Sequence, residues 1–205
     1  MENKHIIINV GRQLGSGGHI IARMLAKDFN AKFYDREILN LAAKESGFSE
    51  KIFEQNDEKK GFIRGLFNMA APHVSGVYES GFSQENLFKF QSDAIRKAAQ
   101  KGSCVFVGRC ADYVLRDFEN VVNIFITASM HDRVEQILNK QNVEPPEAKR
   151  MILQAESKRA AYYNYYTGKK WGHAESYDLC VNTSILGMEE TEKMVADFIR
   201  KRFGL

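Results

Sequence analysis

The sequence predicts an α/β fold of three layers around a five-stranded parallel sheet, and three observations carry that prediction. Short apolar runs recur at His5–Val10, Lys32–Tyr34, Cys104–Val107, Val121–Ile126 and Leu179–Asn182. Segments with helical spacing of apolar residues separate them. The first run leads into a turn with four glycines in eight residues, Gly11–Gly18, and from there into a helix.

Taken in order, HIIINV is apolar at nearly every position, as a strand covered on both faces should be, and Gly11 ends it. His19–Phe29 places Ile20, Ile21, Met24, Leu25 and Phe29 at helical spacing. The second strand ends at Asp35-Arg36, and a helix over Glu37–Ser46 stops at Gly47. Between Phe48 and Phe82 no firm period holds, because glycines interleave with Phe62, Phe67, Met69 and Tyr78. That stretch reads as an insert, about 48–82, that packs or moves beside the sheet. Ser83 is suited to cap a helix running to Lys101, which Gly102 closes. A helix over His131–Asn139 follows the fourth strand. Pro145-Pro146 then starts a long polar helix reaching about Tyr163. Tyr162–Tyr177 reads as a loop, and Met188–Phe203 as the final helix. In such a sheet, ligands sit at the carboxyl ends of the strands. Gly11–Gly18, Asp35-Arg36, Gly108-Arg109 and Thr127–Ser129 all fall there.

Composition sets the bounds. With 205 residues, 44% of them hydrophobic, the chain can bury one substantial core, so a single domain over 1–205 is expected. No stretch approaches the roughly 20 apolar residues of a membrane span. MENKHIIINVGRQ lacks a small-residue cleavage site and reads as a first strand rather than a signal peptide, which implies a cytoplasmic protein. A net charge of +3 is too mild to imply a nucleic-acid partner. Cys104, Cys110 and Cys180 show no CxxC spacing, so free thiols are expected rather than a zinc site.

A glycine-rich turn between strand and helix lets backbone N–H groups converge on a phosphate at the positive helix end. That chemistry falls to Gly15-Ser16-Gly17-Gly18. The alternative is a merely tight turn, which would need one or two glycines. The full pattern GxxxxGK[ST] is not present. Arg12 stands where its first glycine would be, Gly18 where the lysine would be, and His19 where the Ser/Thr would be.

Beyond the loop, LAKDFNAKFYDREIL, VFVGRCADYVL, VNIFITASMHDRVEQIL and WGHAESYDLCVNTSILGMEET occur in the order found in the cytidylate-kinase-like family. Together they span most of residues 5–200, and the chain resembles that family of P-loop nucleoside monophosphate kinases. The GSGG loop without lysine is itself a feature of this branch. The resemblance implies a P-loop kinase fold with an acceptor-binding insert and a helical lid at about 140–175. It implies ATP and magnesium as cosubstrate and cofactor, and a nucleoside monophosphate, CMP first, as acceptor.

Carried over residue by residue, Arg12 and Gly15, Ser16, Gly17, Gly18 and His19 would hold the donor phosphates. Asp35 and Arg36 would lie at the acceptor site, and Arg109 would bind the acceptor's phosphate or sugar region. Arg133, Lys158 and Arg159 would belong to the donor side and the closing lid. Cys110 stands where true cytidylate kinases carry an aspartate, and Asp112, two residues on, is the candidate substitute. Magnesium would be held through phosphates, with Ser16 the nearby hydroxyl.

Other readings of these residues stay open. Arg109 could be a surface ion pair, Lys158 and Arg159 a solvated helix face, Asp35 a helix cap, and His19 a structural residue at a helix start. The aromatic cluster of Tyr162, Tyr163, Tyr165, Tyr166 and Trp171 could stack on a base or pack a lid hinge. At the level of the whole chain, a nucleotide-binding module without transfer and a kinase of another small phospho-acceptor are the competing functions. The aromatic and methionine content of residues 60–90 leaves a homo-oligomer open.

Overall fold

The computed structural model describes residues 5–35 and 84–205. In chain order the elements are β1 (Ile7–Arg12), α1 (Gly18–Asp28), β2 (Lys32–Tyr34), α2 (Gln84–Lys101), β3 (Cys104–Val107) and α3 (Ala111–Val114). β4 (Val121–Thr127), α4 (Met130–Leu138), α5 (Pro145–Thr167), β5 (Leu179–Asn182) and α6 (Thr183–Phe203) follow. The five strands form one parallel sheet in the order β2-β3-β1-β4-β5.

β1 is central because it is apolar on both sides, and alternate residues of a strand face opposite layers. Ile8 and Val10 join Val105, Ile124 and Ile126 under Ile21 and Leu25 of α1 and Val195 and Ile199 of α6. Ile7 joins Phe106 and Val121 under Ile95, Ala98 and Ala99 of α2 and Val114 of α3. Each such side chain contributes roughly 1.5–3 kcal/mol when fully buried. A third cluster ties α4 to α5 through Ile137, Ala148 and Ile152, with Leu14 of the glycine loop packed against it. Because all strands run the same way, Arg12, Asp35, Gly108 and Thr127 emerge at one edge of the sheet.

The three-layer fold and all five strands match the expectation from sequence. The first strand runs on through Gly11 to Arg12, because Gly11 and Arg12 still pair with Phe125 and Ile126 of β4, and two helix boundaries differ more widely. α5 runs through to Thr167 instead of ending at Tyr163, and Gly168 stops it in a left-handed cap (φ 69°). The tyrosines read as a loop are helical because they pack inward, Tyr166 stacking on Phe88 at 4.0 Å between ring centroids. α6 begins at Thr183, where Asn182 accepts a hydrogen bond from the Ser184 N–H at 3.0 Å. It kinks at Gly187 (φ 75°, ψ 174°), so the helix expected from Met188 is its second segment. The short helix α3 was not anticipated. The helix expected at Glu37–Ser46, the insert at 48–82 and the Ser83 cap lie outside the described residues. Among the described residues, no helix is long and apolar enough to cross a membrane.

Candidate functional site

The glycine loop between β1 and α1 has its carbonyls tied to the surrounding protein. Ser16 Oγ donates to Gln13 O at 3.0 Å, and Arg133 Nε donates to Leu14 O at 2.9 Å. Thr183 Oγ1 donates to Ser16 O at 3.0 Å, and the Ile20 and Ile21 N–H groups donate to Gly17 O. Among the described residues, no hydrogen bond engages the N–H of Gly15, Ser16 or Gly17. With the carbonyls of Gln13, Leu14, Ser16 and Gly17 occupied, the loop offers N–H groups, as an anion cradle must. Gly17 starts α1 with no side-chain cap, and no acidic residue lies in the first turn, so the positive helix end is left for a ligand.

Glycine is required here for two distinct reasons. At Gly15 the backbone is left-handed (φ 82°), and an added Cβ would lie 2.6 Å from the Arg133 carbonyl oxygen. At Gly17 (φ 74°) an added Cβ would meet Met188 Sδ at 2.6 Å.

Three arginines gather above the loop from three elements. Arg12 ends β1, Arg109 follows β3, and Arg159 projects from α5, where its Nη1 donates to Arg12 O at 2.8 Å. Burial pushes Arg12 down to about 9, with Arg159 and Arg109 adding to the depression and Asp35 opposing it. Arg159 is lowered for the same leading reason, burial, opposed by Glu156 and reinforced by Arg109 and Arg133. Guanidinium groups stay protonated at neutral pH. The depression reflects first the cost of burying these charges and then their mutual repulsion, both of which an anionic ligand would offset.

Arg109 owes its position to an unusual turn. Gly108, Arg109 and Cys110 are all left-handed, with φ of 75°, 60° and 55°. Each non-glycine residue held so costs on the order of 1–2 kcal/mol. The turn persists because Gly108 N–H bonds Val10 O at 3.1 Å and Val114 N–H bonds Cys110 O at 2.9 Å. Strain of this kind concentrates at functional sites.

The other sequence candidates fall at varied distances from this centre. His19 Nε2 lies 2.8 Å from Asp35 Oδ2, joining the first turn of α1 to the end of β2. Asp35 also acts electrostatically on Arg12 and Arg159. Arg133 is 4% exposed, and its guanidinium is committed to Leu14 O and to Glu156. It thus holds the loop from beneath. Lys158 is half-buried, with no hydrogen bond or ion pair among the described residues. Arg36 lies outside them.

Asp112 is buried, accepts the Tyr163 hydroxyl at 2.6 Å, and has Lys169 Nζ at 3.9 Å. Burial raises its pKa against the opposing pull of Tyr163 and Lys169. The charged form is therefore disfavoured in the folded state. Its contribution to stability is complete below the unfolded carboxylate pKa and is lost as pH rises through the folded value. Asp112→Asn is expected to raise Tm at neutral pH, with the gain vanishing below the ordinary carboxylate range. Thermal melts across pH check both statements.

Among the described residues, no group of three or more His, Cys, Asp or Glu side chains converges on a point. The Ser16 hydroxyl is buried and spent on Gln13 O. Asp35 is a carboxylate beside the arginines, so oxygen donors from the chain itself are few.

Several site residues escaped the sequence reading. Gln13 accepts the Thr127 hydroxyl, and Thr183 pins Ser16 O while also bonding Thr127 O at 3.2 Å. Both lie beside segments already marked, but nothing in their spacing announces the contacts. Glu156 carried a readable signal: with Arg159 and Tyr163, both already singled out, it forms a polar stripe of α5 at i, i+3 and i+7.

Comparison with known proteins places this geometry in context. A family model described as the Cytidylate kinase-like family matches residues 7–185. The cytidylate kinase of Sulfurisphaera tokodaii is 21% identical, with 95% of each chain covered. Among solved structures, an uncharacterized protein from Eubacterium ventriosum is 26% identical with a TM-score of 0.70, covering 95% of this chain and 98% of the other. Shikimate kinase from Bacteroides thetaiotaomicron shares the fold at 14% identity and a TM-score of 0.53, covering 98% of this chain and 100% of the other.

Proposed function

Because the chain belongs to the cytidylate kinase-like family, we propose that it is an ATP-dependent phosphotransferase acting on a nucleoside monophosphate, CMP first among the acceptors. The observation that carries this reading is the gathering of Arg12, Arg109 and Arg159 over a loop whose carbonyls are tied away. Phosphoryl transfer needs little covalent help from the protein, so positioning and charge neutralisation are the tasks to assign.

The N–H groups of Gly15–Gly17 and the start of α1, at Gly18 and His19, hold the donor phosphates. Arg12 and Arg159 face the phosphoryl group in flight, and Arg109, aimed by its left-handed turn, holds the acceptor's phosphate. Asp35, steadied by His19, lies on the acceptor side. Asp112, locked to Tyr163, supports that side from below. Arg133 fixes the loop, and Lys158 supplies charge from the lid, about 140–175. Magnesium would neutralise the phosphates and be held chiefly through their oxygens and water, as this ion's preference for oxygen and retained water allows. Asp35 is the carboxylate placed to approach it.

The test is an ADP-release assay with ATP, magnesium and a panel of nucleoside monophosphates, beside thermal shifts with each ligand alone. Release that depends on CMP is expected. A second reading, nucleotide binding without transfer, is favoured by one observation, the glycine and histidine in place of the loop's lysine and hydroxyl. It predicts thermal stabilisation, roughly 2.7 kcal/mol at a hundred times Kd, without acceptor-dependent release.

A further inference from the structure

In the phosphate-loop pattern GxxxxGK[ST], a glycine opens the motif and a lysine follows its last glycine. Here the two are inverted: Arg12 opens it and Gly18 stands at the lysine position. The structure brings these positions into contact. A Cβ on Gly18 would lie 2.6 Å from Arg12 Cβ, 3.0 Å from Ile126 Cβ and 3.3 Å from Arg12 Cγ. Arg12 and Ile126 are register partners in β1 and β4, so neither Cβ can retreat without disturbing the sheet. A side chain at position 18 would compete with the Arg12 stem, and in part with Ile126, for the same space.

The head of Arg12 shows where the charge goes. An added Cβ on Gly108 would lie 2.5 Å from Arg12 Nη1, so the guanidinium crosses the end of β3 above a glycine that leaves room for it. Its carbonyl is held by Arg159 Nη1. Stem and head thus rest on two glycines, Gly18 and Gly108, at the mouth of the loop.

We propose that Arg12 and Gly18 are a reciprocal exchange: the cation for the terminal phosphates of the donor nucleotide comes from the end of β1 instead of the start of α1, and Gly18 is glycine because the Arg12 stem fills its space. This deepens the proposed function and rests on it. A guanidinium presents a planar fork of N–H donors, so Arg12 can bridge two phosphate oxygens where a lysine offers a point charge. The absence of the usual lysine is then no sign of a defective loop.

The experiment compares the wild type, Arg12→Gly, Gly18→Lys, the double variant and Arg12→Met, by ATP affinity from calorimetry and by CDP formation. Gly18→Lys alone should lose ATP affinity at least tenfold, because two side chains compete for one space. Arg12→Gly should lose a similar factor through missing charge. The double variant should regain at least tenfold over either single variant, a strong departure from additivity. Arg12→Met keeps the stem over Gly18 and removes a charge that burial disfavours, so its Tm should equal or exceed that of wild type while ATP affinity falls. It therefore remains informative if a glycine-position variant does not fold.

Additive losses in the double variant, or Arg12→Met binding ATP as tightly as wild type, would overturn the exchange. The two claims separate cleanly. A wild type that binds ATP without phosphorylating any monophosphate refutes the kinase reading, while ATP affinity still decides the exchange. A wild type that makes CDP with Arg12→Met unaffected refutes only the exchange.

Discussion

Arg133→Ala is expected to destabilise the protein by about 3 kcal/mol, seen as a Tm lowered by roughly 6–12 °C. The guanidinium is 4% exposed and holds both Glu156 and Leu14 O, so its removal leaves a carboxylate and a loop carbonyl without their partner. Glu156 keeps some access to water at 19% exposure, which places the cost at the lower end for a broken buried pair. Much of the loss comes from the stranded charge. Arg133→Met combined with Glu156→Gln should therefore cost less than Arg133→Ala alone. Thermal or urea unfolding of the three proteins checks the ordering. The glycine loop should suffer as well, because the Arg133 backbone sits 2.6 Å from the Gly15 Cβ position and its side chain holds Leu14.

Arg159→Ala is expected to lower turnover roughly 100- to 1000-fold, the usual effect of deleting one preorganised donor at a developing charge. Arg159 projects from α5 and meets the β1 end through Arg12 O, so it joins the two elements in a single contact. Arg159→Lys keeps the charge but loses the fixed fork, and should recover only part of the rate. The loss should fall on kcat more than on KM, because the charge is needed most in the transition state. Steady-state kinetics of the two variants against wild type measures this. An equal rise of KM with kcat unchanged would make Arg159 a ground-state binding residue.

The sheet was legible because its strands are covered on both faces, which leaves β1, β3 and β4 with apolar runs that no other element shows. Gly11–Gly18 was legible as a strand-to-helix turn because glycines there answer two requirements, a left-handed backbone at Gly15 and Gly17 and close approach of Arg12 at Gly18. The left-handed turn at Arg109 and Cys110 was not, since neither residue advertises positive φ; only the neighbouring Gly108 hints at it. The tail of α5 was misread because a run of tyrosines with a following glycine resembles a loop. The packing of Tyr166 on Phe88, 78 residues earlier in the chain, is tertiary information. The partnership of Tyr163 with Asp112 is of the same kind, a buried, bonded carboxylate whose partner lies 51 residues away in the chain. Arg133 was expected among the donor contacts by resemblance, and the structure shows it beneath the loop.

We propose that phosphoryl transfer from ATP to a nucleoside monophosphate takes place under the arginine cluster over the glycine loop. The most direct measurement is phosphorus NMR of wild-type protein with ATP, magnesium and CMP, run beside Arg12→Met and Arg159→Ala. CDP and ADP are expected to appear together in equal amounts with wild type and to form at least a hundredfold more slowly in both variants. ADP appearing with inorganic phosphate and no CDP, or CDP forming equally fast in all three proteins, would contradict the proposal.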